Sequence, residues 1–246
     1  VVVEEFLEVP EFSWLALTDG TYVVPLATAQ DHKRAYDDDK GPNTGGMCVY
    51  SPVPFVTNEE LSQMIAIEQR VVDQLKKEGI NYSGCLYGGF MLTKDGPKVL
   101  EFNARFGDPE TQVVLPRLQG DLVSILMACD NGTLRHQQVS WSDTVAVSVV
   151  LASAGYPGSY EKCKEITGIE AAQQLEGVSV YHAGTAQTED GKIVTAGGRV
   201  LNVTALAPTF EEARARAYEA CDLINFEGKQ LRHDIGLKAL QGRPEK

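Results

Sequence analysis

Short apolar runs separated by turn residues predict β-strands in the first hundred residues. Residues 1–7 are apolar and β-branched, and residues 11–18 and 21–26 lie on either side of an Asp-Gly pair. Such a pair between two strand-like runs is typical of a β-hairpin. Residues 86–93 and 97–102 surround a Lys-Asp-Gly turn in the same way. Two hairpins are therefore predicted.

Helical spacing of apolar residues begins after a capping-box motif at residues 57–60. A Thr followed three residues later by a Glu satisfies the free N–H groups at a helix N-terminus. Apolar residues then recur three or four positions apart until Gly79, which predicts an amphipathic helix. A second helix is predicted over residues 121–129, ending at the Asp-Asn-Gly sequence of residues 130–132.

The second half of the chain alternates strand-like runs with glycine-containing turns, which indicates an α+β domain. Strands are predicted over about residues 144–152, 178–187, 192–195 and 199–206, and a helix over about residues 209–224. We place the domain boundary between residues 131 and 143. The two predicted domains are residues 1–135 and residues 136–246.

Composition and charge exclude several classes of protein. The 246 residues are 43% hydrophobic and 23% charged, which is ordinary for a globular protein. The net charge of −12 argues against nucleic-acid binding, because phosphate backbones are bound by clustered Lys and Arg. No apolar stretch approaches the ~20 residues of a membrane helix, and no targeting segment is recognisable. We expect a cytoplasmic protein with no membrane partner.

The five cysteines are scattered along the chain and form no Cys-x-x-Cys pair. This spacing fits neither a disulfide framework nor a zinc site. The sequence therefore predicts reduced thiols.

Residues with ligand-binding chemistry end the second hairpin. Glu101 and Asn103 are two positions apart on a predicted strand, so their side chains point to the same face. One carboxylate and one amide oxygen suit a hard divalent cation such as Mg²⁺. Arg105 and Asp108 follow directly, and this composition can neutralise and orient phosphoryl oxygens. Since a bare Glu-x-Asn is usually a surface feature, the neighbouring charges carry the interpretation.

Residues 29–56 show neither helical nor strand periodicity, and a segment of this length in a compact domain is usually functional or disordered. Charged side chains at residues 30–34 precede glycines in residues 41–46, whose backbone N–H groups can approach an anion. A solvated loop is an equally good interpretation of this pattern alone. A lone loop histidine such as His32 is more often a surface residue than a catalyst.

Four motifs occur in a fixed order along the chain. They are Gln30-Asp31-His32-Lys33-Arg34, Gly41-Pro42-Asn43-Thr44-Gly45-Gly46-Met47 followed by Tyr50-Ser51-Pro52, the run from Lys98 to Gln112, and Gly197-Gly198-Arg199-Val200-Leu201. Together they resemble the glycinamide ribonucleotide synthetase (phosphoribosylamine–glycine ligase) family of the ATP-grasp superfamily. The resemblance implies an α+β fold in which the C-terminal half of an ATP-grasp region precedes a small mixed α/β C-terminal domain.

The resemblance also implies an activity. Members of this family are carbon–nitrogen ligases of purine biosynthesis that depend on ATP and on Mg²⁺ or Mn²⁺. They join glycine to 5-phosphoribosylamine and release ADP and phosphate, with glycyl phosphate as the intermediate and glycinamide ribonucleotide as the product. We expect ATP, glycine and 5-phosphoribosylamine as the small-molecule partners of this chain.

Roles for individual residues follow from the same resemblance. ATP is expected to contact a hinge strand, mainly through its backbone, and a ribose-binding carboxylate: Glu4, Glu5, Phe6 and Leu7 in the hinge, and Glu11. The implied metal ligands are Glu101 and Asn103, and the implied catalytic residues are Arg105 and Asp108. The implied substrate-binding residues are Asp31, Lys33, Asn43, Thr44, Gly45, Gly46 and Pro109.

The chain departs from the family pattern at two places. Val9-Pro10 stands before Glu11 where the family usually has a Gly, and Pro has no backbone N–H. Cys48-Val49 replaces a Gly-Ala pair, which puts a side chain where glycine permits a positive φ or a close approach. We expect an altered turn at the first place and weaker substrate affinity at the second.

Nothing in the chain resembles the family's N-terminal substrate domain or its lid with a Gly-rich loop and phosphate-binding lysines. We therefore interpret the chain as the C-terminal part of such an enzyme, whose partner is the missing N-terminal portion, and expect the isolated chain to be inactive. Two alternatives stay open: a noncatalytic nucleotide-binding fragment and a different ATP-grasp ligase.

Overall fold

A computed structural model of the chain describes residues 3, 5, 7 and 11–242. Most of the strand predicted over residues 1–7 lies outside these residues, as does the Val9-Pro10 departure. The three described residues before Glu11 belong to no helix or strand.

The described residues form short and medium-length strands and six α-helices. The strands are β1 (Glu11–Thr18), β2 (Val23–Pro25), β3 (Gln30–Asp31), β4 (Arg34–Tyr36), β5 (Lys40–Asn43), β6 (Cys48–Ser51), β7 (Gly84–Thr93), β8 (Gly96–Asn103), β9 (Leu118–Gln119), β10 (Ser140–Trp141), β11 (Val145–Ser153), β12 (Val178–His182), β13 (Thr185–Gln187), β14 (Ile193–Thr195), β15 (Arg199–Ala207) and β16 (Lys229–Gln230). The helices are α1 (Asn58–Lys77), α2 (Thr111–Val114), α3 (Leu122–Asn131), α4 (Ile169–Gln173), α5 (Phe210–Leu223) and α6 (Leu237–Gln241).

The chain divides into two compact units that alternate along the sequence. Unit 1 comprises Val1–Gln30, Phe55–Gly107 and Leu118–Ser142, and unit 2 comprises Asp31–Pro54, Asp108–Arg117 and Asp143–Lys246. The division into domains of residues 1–135 and 136–246 stays a prediction, since it concerns the family's domains and the compact units are discontinuous.

Unit 1 is built on an antiparallel sheet with the strand order β2-β1-β7-β8. Both predicted hairpins are confirmed in it. The turn after β1 is held by Asp19, whose carboxylate accepts hydrogen bonds from the backbone N–H groups of Thr21 and Tyr22. A register shift between Gly89 and Phe90 interrupts the β7–β8 ladder shortly before β8 ends.

Helix α1 packs against β2, β7 and β8. Its predicted capping box is confirmed, because Thr57 Oγ1 accepts from the Glu60 N–H and the Glu60 carboxylate accepts from the Thr57 N–H. The inward face of the helix carries Met64, Glu68 and Val72, which are four positions apart and buried. Glu68 therefore lies between two buried apolar residues of this row.

Glu68 is fully buried, and neither of its carboxylate oxygens has a hydrogen-bond partner within the described part of the chain. One oxygen lies 3.0 Å from the place where a Cβ at Gly88 of β7 would be. Desolvation favours the neutral acid, and burial raises the pKa of Glu68 to about 8. The Cys85 thiol of the same strand interacts with it, and burial raises the pKa of that thiol to about 12. Glu68 is thus protonated in the folded chain at neutral pH.

Replacing Glu68 with Gln is expected to remove a pH dependence of stability. Between the ordinary glutamate pKa of 4.5 and the folded value of about 8, folding takes up a proton. Stability is therefore lost as the pH rises through this window, by up to ~1.4 kcal/mol per pH unit. Urea unfolding at pH 5.5 and pH 7.5 should show Glu68→Gln gaining about 2 to 3 kcal/mol on the parent chain over this interval. Parallel stability curves for the two proteins would contradict the assignment, and the exposed Glu59→Gln on the same helix is the control.

Unit 2 is built on a sheet with the strand order β12-β15-β11-β6-β3, and β16 also pairs with β11. All nine residues of β11 are buried, which accounts for its unbroken apolar and small-residue sequence. Helix α5 packs against β11 and β15 through Ala213, Ala217 and Ala220. The α+β character expected for this part of the chain is confirmed.

Two sequence predictions for unit 2 need correction. The single strand predicted over residues 178–187 is two strands, β12 and β13, in different sheets. The interruption between the two strands includes Gly184, where an added Cβ would lie 2.5 Å from the Cα of Gly197. The segment of residues 29–56 contains four strands, β3 to β6, of two to four residues each, which are too short to show a period.

No helix within the described residues is both long enough and apolar enough to cross a membrane. All five cysteines lie in the described part of the chain and are free thiols, as predicted. Four of them are buried, and only Cys163 is exposed.

Candidate active site

The candidate residues of the two units form two local clusters. The strand-end cluster of unit 1 consists of Glu101, Asn103 and Arg105. The loop cluster of unit 2 consists of Asp31, Lys33, Asn43, Thr44, Gly45, Gly46, Asp108 and Pro109.

Strand β8 places Glu101 and Asn103 on one face, as the two-residue spacing predicts. Asn103 Nδ2 donates a hydrogen bond of 3.0 Å to Glu101 Oε1. The amide must then direct its Oδ1 oxygen away from this bond, and the second carboxylate oxygen of Glu101 is also an acceptor. Glu101 is exposed and Asn103 is half-buried. The pair therefore offers hard oxygen atoms on an accessible surface.

Arg105 is oriented by two contacts at the end of β8. Its guanidinium carbon lies 5.7 Å from the ring centroid of Tyr87, within range of a cation–π interaction. Its Nη1 donates to the carbonyl oxygen of Phe106 at 3.0 Å. The Tyr87 hydroxyl is bonded at 2.6 Å to Ser13 Oγ, so the ring beneath the guanidinium is itself fixed. An exposed positive charge is thus held in a defined place.

The expected adenine hinge is described only in part. Glu5 is exposed, and its carboxylate accepts a hydrogen bond from Lys98 Nζ of β8. Leu7 is half-buried, whereas Glu4 and Phe6 lie outside the described residues. The hinge role stays a prediction.

Glu11, the expected ribose ligand, is the first residue of β1 and pairs with Met91 of β7. Its carbonyl oxygen accepts a hydrogen bond of 2.9 Å from Gln30 Nε2. The backbone of Glu11 is therefore fixed by the sheet and by the Gln30 side chain. The Glu11 side chain itself is half-buried.

The loop cluster is ordered by its own hydrogen bonds. Lys33 Nζ lies 2.8 Å from Asp31 Oδ2, and the Asp31 side chain is almost fully buried. The carbonyl oxygen of Lys33 accepts from both the N–H and the hydroxyl of Thr44, at 2.7 and 2.8 Å. Thr44 Oγ1 in turn accepts from the Gly46 N–H at 3.1 Å. Asn43 ends β5 just before this turn and is exposed.

Gly46 is required for close packing in the loop cluster. Its φ is +113°, a conformation that only glycine adopts readily. An added Cβ would lie 2.5 Å from Pro109 Cδ and 3.1 Å from the Asp108 carbonyl oxygen. The loop therefore lies directly against Asp108 and Pro109, and no side chain fits between them.

Arg199, the first residue of β15, joins the two parts of the loop cluster. Its Nη1 donates to the carbonyl oxygens of Gly45, Gly46 and Asp108 at 3.2, 3.1 and 2.8 Å. Its Nη2 donates to Asp108 Oδ2 at 2.9 Å, while Gln112 Nε2 donates to Asp108 Oδ1 at the same distance. One guanidinium thus fixes both the glycine turn and the Asp108 carboxylate.

Sequence reasoning gave no role to Arg199 or to Tyr156, although both contact the loop cluster. The Tyr156 hydroxyl accepts a hydrogen bond of 3.2 Å from the Gly45 N–H. The Tyr156 ring packs on Gly198, where an added Cβ would lie 2.2 Å from it. The glycines of the Gly-Gly-Arg motif were the available signal, since glycine permits other groups to approach the backbone closely.

His32 is buried, with 2% of its surface exposed, so the expectation of a surface histidine is wrong. Its Nδ1 lies 3.3 Å from the carbonyl oxygen of Cys48. Burial, together with the positive charges of Lys238 and Arg232, lowers the pKa of His32 to about 3. The imidazole is therefore neutral at physiological pH.

The Cys48-Val49 departure is accommodated without backbone strain. Both residues are fully buried in β6, and neither has a positive φ. Cys48 Sγ accepts a hydrogen bond of 3.3 Å from the Val150 N–H of β11. The sheet has room for both side chains, so backbone strain gives no reason to expect weaker affinity.

Two family models match the chain in order. Phosphoribosylglycinamide synthetase, ATP-grasp (A) domain, matches residues 1–111, and phosphoribosylglycinamide synthetase, C domain, matches residues 146–238. The predicted boundary near residue 135 lies between these ranges.

Curated relatives are similar over nearly the whole chain. The phosphoribosylamine–glycine ligase of Caldanaerobacter subterraneus is 50% identical over 236 residues, 96% of this chain and 56% of the relative. The chloroplastic phosphoribosylamine–glycine ligase of Arabidopsis thaliana is 49% identical, over 98% of this chain and 46% of the relative. The trifunctional purine biosynthetic protein adenosine-3 of Gallus gallus is 52% identical, over 98% of this chain and 24% of the relative. The chain spans about half or less of the curated relatives it matches.

Solved structures give the same picture of the fold. The phosphoribosylamine–glycine ligase of Thermotoga maritima superimposes with a TM-score of 0.85 at 38% identity, covering 94% of this chain and 56% of that one. The biotin carboxylase domain of the 2-oxoglutarate carboxylase of Hydrogenobacter thermophilus, solved with MgADP, has a TM-score of 0.63 at 18% identity, covering 93% of this chain and 48% of that one. The fold is therefore the α+β ATP-grasp fold.

Proposed function

The chain belongs to the phosphoribosylglycinamide synthetase family, and we propose that it is part of a ligase that joins glycine to 5-phosphoribosylamine. ATP is the energy source, and glycinamide ribonucleotide, ADP and phosphate are the products, formed through glycyl phosphate in purine biosynthesis. The observation that carries the proposal is the joint match of the ATP-grasp and C domains, in the family's order, with the motif residues gathered in two polar clusters.

A divalent cation is proposed to bind at Glu101 and Asn103. The described residues contain no group of three or more His, Cys, Asp or Glu side chains that could hold a metal ion. A carboxylate and an amide on an accessible face nevertheless fit Mg²⁺ or Mn²⁺, since such ions keep several waters and take further oxygens from nucleotide phosphates. When bound, the ion supplies positive charge that offsets the charge developing on the phosphates.

In the strand-end and loop clusters, the positively charged residues are proposed to bind phosphate oxygens and the Asp108 carboxylate to bind a substrate amine. Lys33 and Arg105 carry positive charge suited to phosphoryl and phosphate oxygens. Asp108 is an exposed carboxylate suited to the ammonium group of glycine or the amine of the sugar, whereas the almost fully buried Asp31 holds Lys33 through an ion pair. Arg199 fixes the direction of Asp108, so a positioned acceptor rather than a mobile one faces the substrate.

ATP is proposed to lie along the hinge of residues 4–7, with the Glu11 carboxylate accepting hydrogen bonds from the ribose hydroxyls.

Functional tests of this and later proposals use a complete ligase, in which this chain replaces the matching segment of the Caldanaerobacter relative. The complete ligase without further substitutions must first be shown to form product.

Replacing Glu11 with Ala in the complete ligase is expected to raise the KM for ATP about 10- to 150-fold. The change removes hydrogen bonds to a charged acceptor, which contribute roughly 1.5 to 3 kcal/mol. Comparison of ATP with 2′-deoxy-ATP checks the role, because the mutant should lose the parent's preference for ATP. Equal discrimination by mutant and parent would rule out a ribose contact.

ATP binding and ATP turnover, measured separately, distinguish this function from simple nucleotide binding. The complete ligase should bind ATP without substrates and release ADP only when glycine and 5-phosphoribosylamine are both present. Binding without any substrate-dependent turnover would instead favour a noncatalytic nucleotide-binding role. Turnover with bicarbonate or another amine acceptor would favour a different ATP-grasp ligase.

A further inference from the structure

The segment from residue 32 to residue 47 is a loop of unit 2 that contains the short strands β4 and β5. Its tip, between these strands, consists of three consecutive acids, Asp37, Asp38 and Asp39. We propose that the buried Arg232 is a positioning residue that anchors this acidic tip and thereby holds the Asn43–Gly46 turn in its substrate-binding conformation. The inference rests on the proposed function for its substrate, but its structural part can be tested alone.

Arg232 is fully buried, and each of its three guanidinium nitrogens donates at least one hydrogen bond. Its Nε and Nη2 donate to Asp234 Oδ1 and Oδ2 at 2.8 and 2.6 Å, a bidentate ion pair. Its Nη2 also donates to Asp39 Oδ1 at 3.1 Å, and its Nη1 donates to the carbonyl oxygen of Arg34 at 3.0 Å. A planar, rigid donor of this kind fixes the direction of every partner. Arg232 therefore connects the C-terminal segment to both the tip and the first strand of the loop.

The tip needs such support because its backbone is unfavourable. Asp38 and Asp39 have φ values of +58° and +53°, a region that residues other than glycine rarely occupy. The Asp38 N–H donates to Asp234 Oδ2 at 3.0 Å, and the His233 N–H donates to Asp37 Oδ1 at 2.6 Å. The C-terminal segment thus holds the tip at several points.

Asp39 is the tip residue with the most contacts to cations. Its two carboxylate oxygens accept separately from Arg232 Nη2 and Lys238 Nζ. Burial opposes ionisation, yet the Lys238 hydrogen bond and the nearby positive charges together keep the pKa of Asp39 below its ordinary value. The carboxylate is therefore charged at neutral pH, and its loss would leave Arg232 with Asp234 as its remaining acid.

The contacts continue from the tip to the glycine turn. Arg34 of β4 pairs with Asn43 of β5, and its Nη1 donates to the Gly41 carbonyl oxygen at 2.8 Å. Directly beside this pair, the Thr44 N–H donates to the Lys33 carbonyl oxygen at 2.7 Å. Because Arg232 binds the carbonyl oxygen of Arg34, it fixes the strand against which the turn is held.

A buried ion pair of this type is weak evidence for stability but can select one conformation. Asp234 alone would neutralise Arg232, so the added contact with Asp39 is best explained by the order it gives to the loop. We therefore expect its loss to affect the turn more than the global fold.

Asp39→Asn and Asp38→Asn form a matched pair of variants for the test. Both keep the size of the side chain, and Asn tolerates a positive φ as Asp does. Asp39→Asn removes the ion pairs with Arg232 and Lys238, whereas Asp38→Asn removes only an exposed ion pair with Lys40. The difference between them isolates the joint contribution of the two Asp39 ion pairs, with Arg232 and Lys238.

Two measurements are made on each variant. Hydrogen exchange of the Thr44 and Met47 amides in the 246-residue chain should accelerate about tenfold in Asp39→Asn and remain unchanged in Asp38→Asn. In the complete ligase, Asp39→Asn should raise the KM for 5-phosphoribosylamine about tenfold while the KM for ATP stays within about twofold. A merely structural role would raise both KM values or lower only the melting temperature.

The outcomes separate the anchor from the proposed function. Equal exchange in the two variants would overturn the anchor, whatever the kinetics. Faster exchange with an unchanged KM for 5-phosphoribosylamine would overturn its role in substrate binding. Should the unaltered complete ligase fail to use 5-phosphoribosylamine, the proposed function fails, and the exchange comparison still decides whether Asp39 and Arg232 order the turn.

Discussion

Replacing Glu101 with Gln in the complete ligase is expected to lower kcat about 1,000-fold at saturating ATP. Glutamine keeps the size of the side chain and can still accept from Asn103 Nδ2, as Glu101 does at 3.0 Å. It lacks the negative charge on which binding of a divalent cation depends, and a loss of ~4 kcal/mol in transition-state stabilisation corresponds to this factor. ADP release measured across a range of Mg²⁺ concentrations checks the prediction.

Asp95→Asn is the matched control for Glu101→Gln. Asp95 is exposed in the turn between β7 and β8, so the control removes the same charge from the same hairpin. It should leave kcat and the Mg²⁺ dependence unchanged. A Glu101→Gln enzyme with near-normal kcat and the parent's Mg²⁺ dependence would show that the metal is held elsewhere.

Replacing Arg199 with Met is expected to lower kcat/KM for 5-phosphoribosylamine about 300-fold, or ~3.4 kcal/mol. The change removes hydrogen bonds to three carbonyl oxygens and to the Asp108 carboxylate, so the glycine turn and Asp108 are no longer fixed together. Misplacement of substrate-binding groups by about 1 Å can cost about 100-fold in rate, and the loss of the cation beside Asp108 adds to this effect. Steady-state kinetics with each substrate varied in turn measures the effect.

Arg216→Met controls for the general loss of a structural arginine. Arg216 also donates to two backbone carbonyl oxygens in unit 2, those of Glu176 and Leu206. Its replacement should lower the melting temperature with little change in kcat/KM. If both variants lose activity in proportion to their lost stability, Arg199 supports the fold and does not position substrate-binding groups.

The regular elements of the fold were predictable because local sequence determines them. The capping box of α1 satisfies the helix N-terminus with residues three positions apart, and the Asp-Gly turn after β1 needs only its neighbours. Helices α2, α4 and α6 contain only four or five residues, which is too few to show a helical period.

The candidate site was predictable where it depends on spacing along one strand. Glu101 and Asn103 share a face because alternate residues of a strand do so. Arg199 was not assigned a role, because its partner Gly45 is 154 residues away in the sequence and only tertiary packing brings them together. The burial of Glu68 in α1 could have been predicted from its spacing, since it lies four positions from both Met64 and Val72.

His32 and Arg232 show why charged residues are hard to place from sequence. Both residue types are usually exposed or half-exposed, yet these two are buried, with 2% and 0% of their surfaces exposed. The charge of Arg232 is compensated by Asp39 and Asp234, which are nearly 200 residues apart in the sequence. No periodic pattern could have indicated this pairing.

Product formation from labelled glycine tests the central claim most directly. The complete ligase is incubated with ATP, Mg²⁺, ¹³C-glycine and 5-phosphoribosylamine, and the products are identified by mass spectrometry alongside phosphate release. We expect labelled glycinamide ribonucleotide in a one-to-one ratio with phosphate, abolished by omission of any one substrate. Phosphate release without the labelled product, or faster turnover with another acid or amine in place of glycine or 5-phosphoribosylamine, would contradict the proposed function.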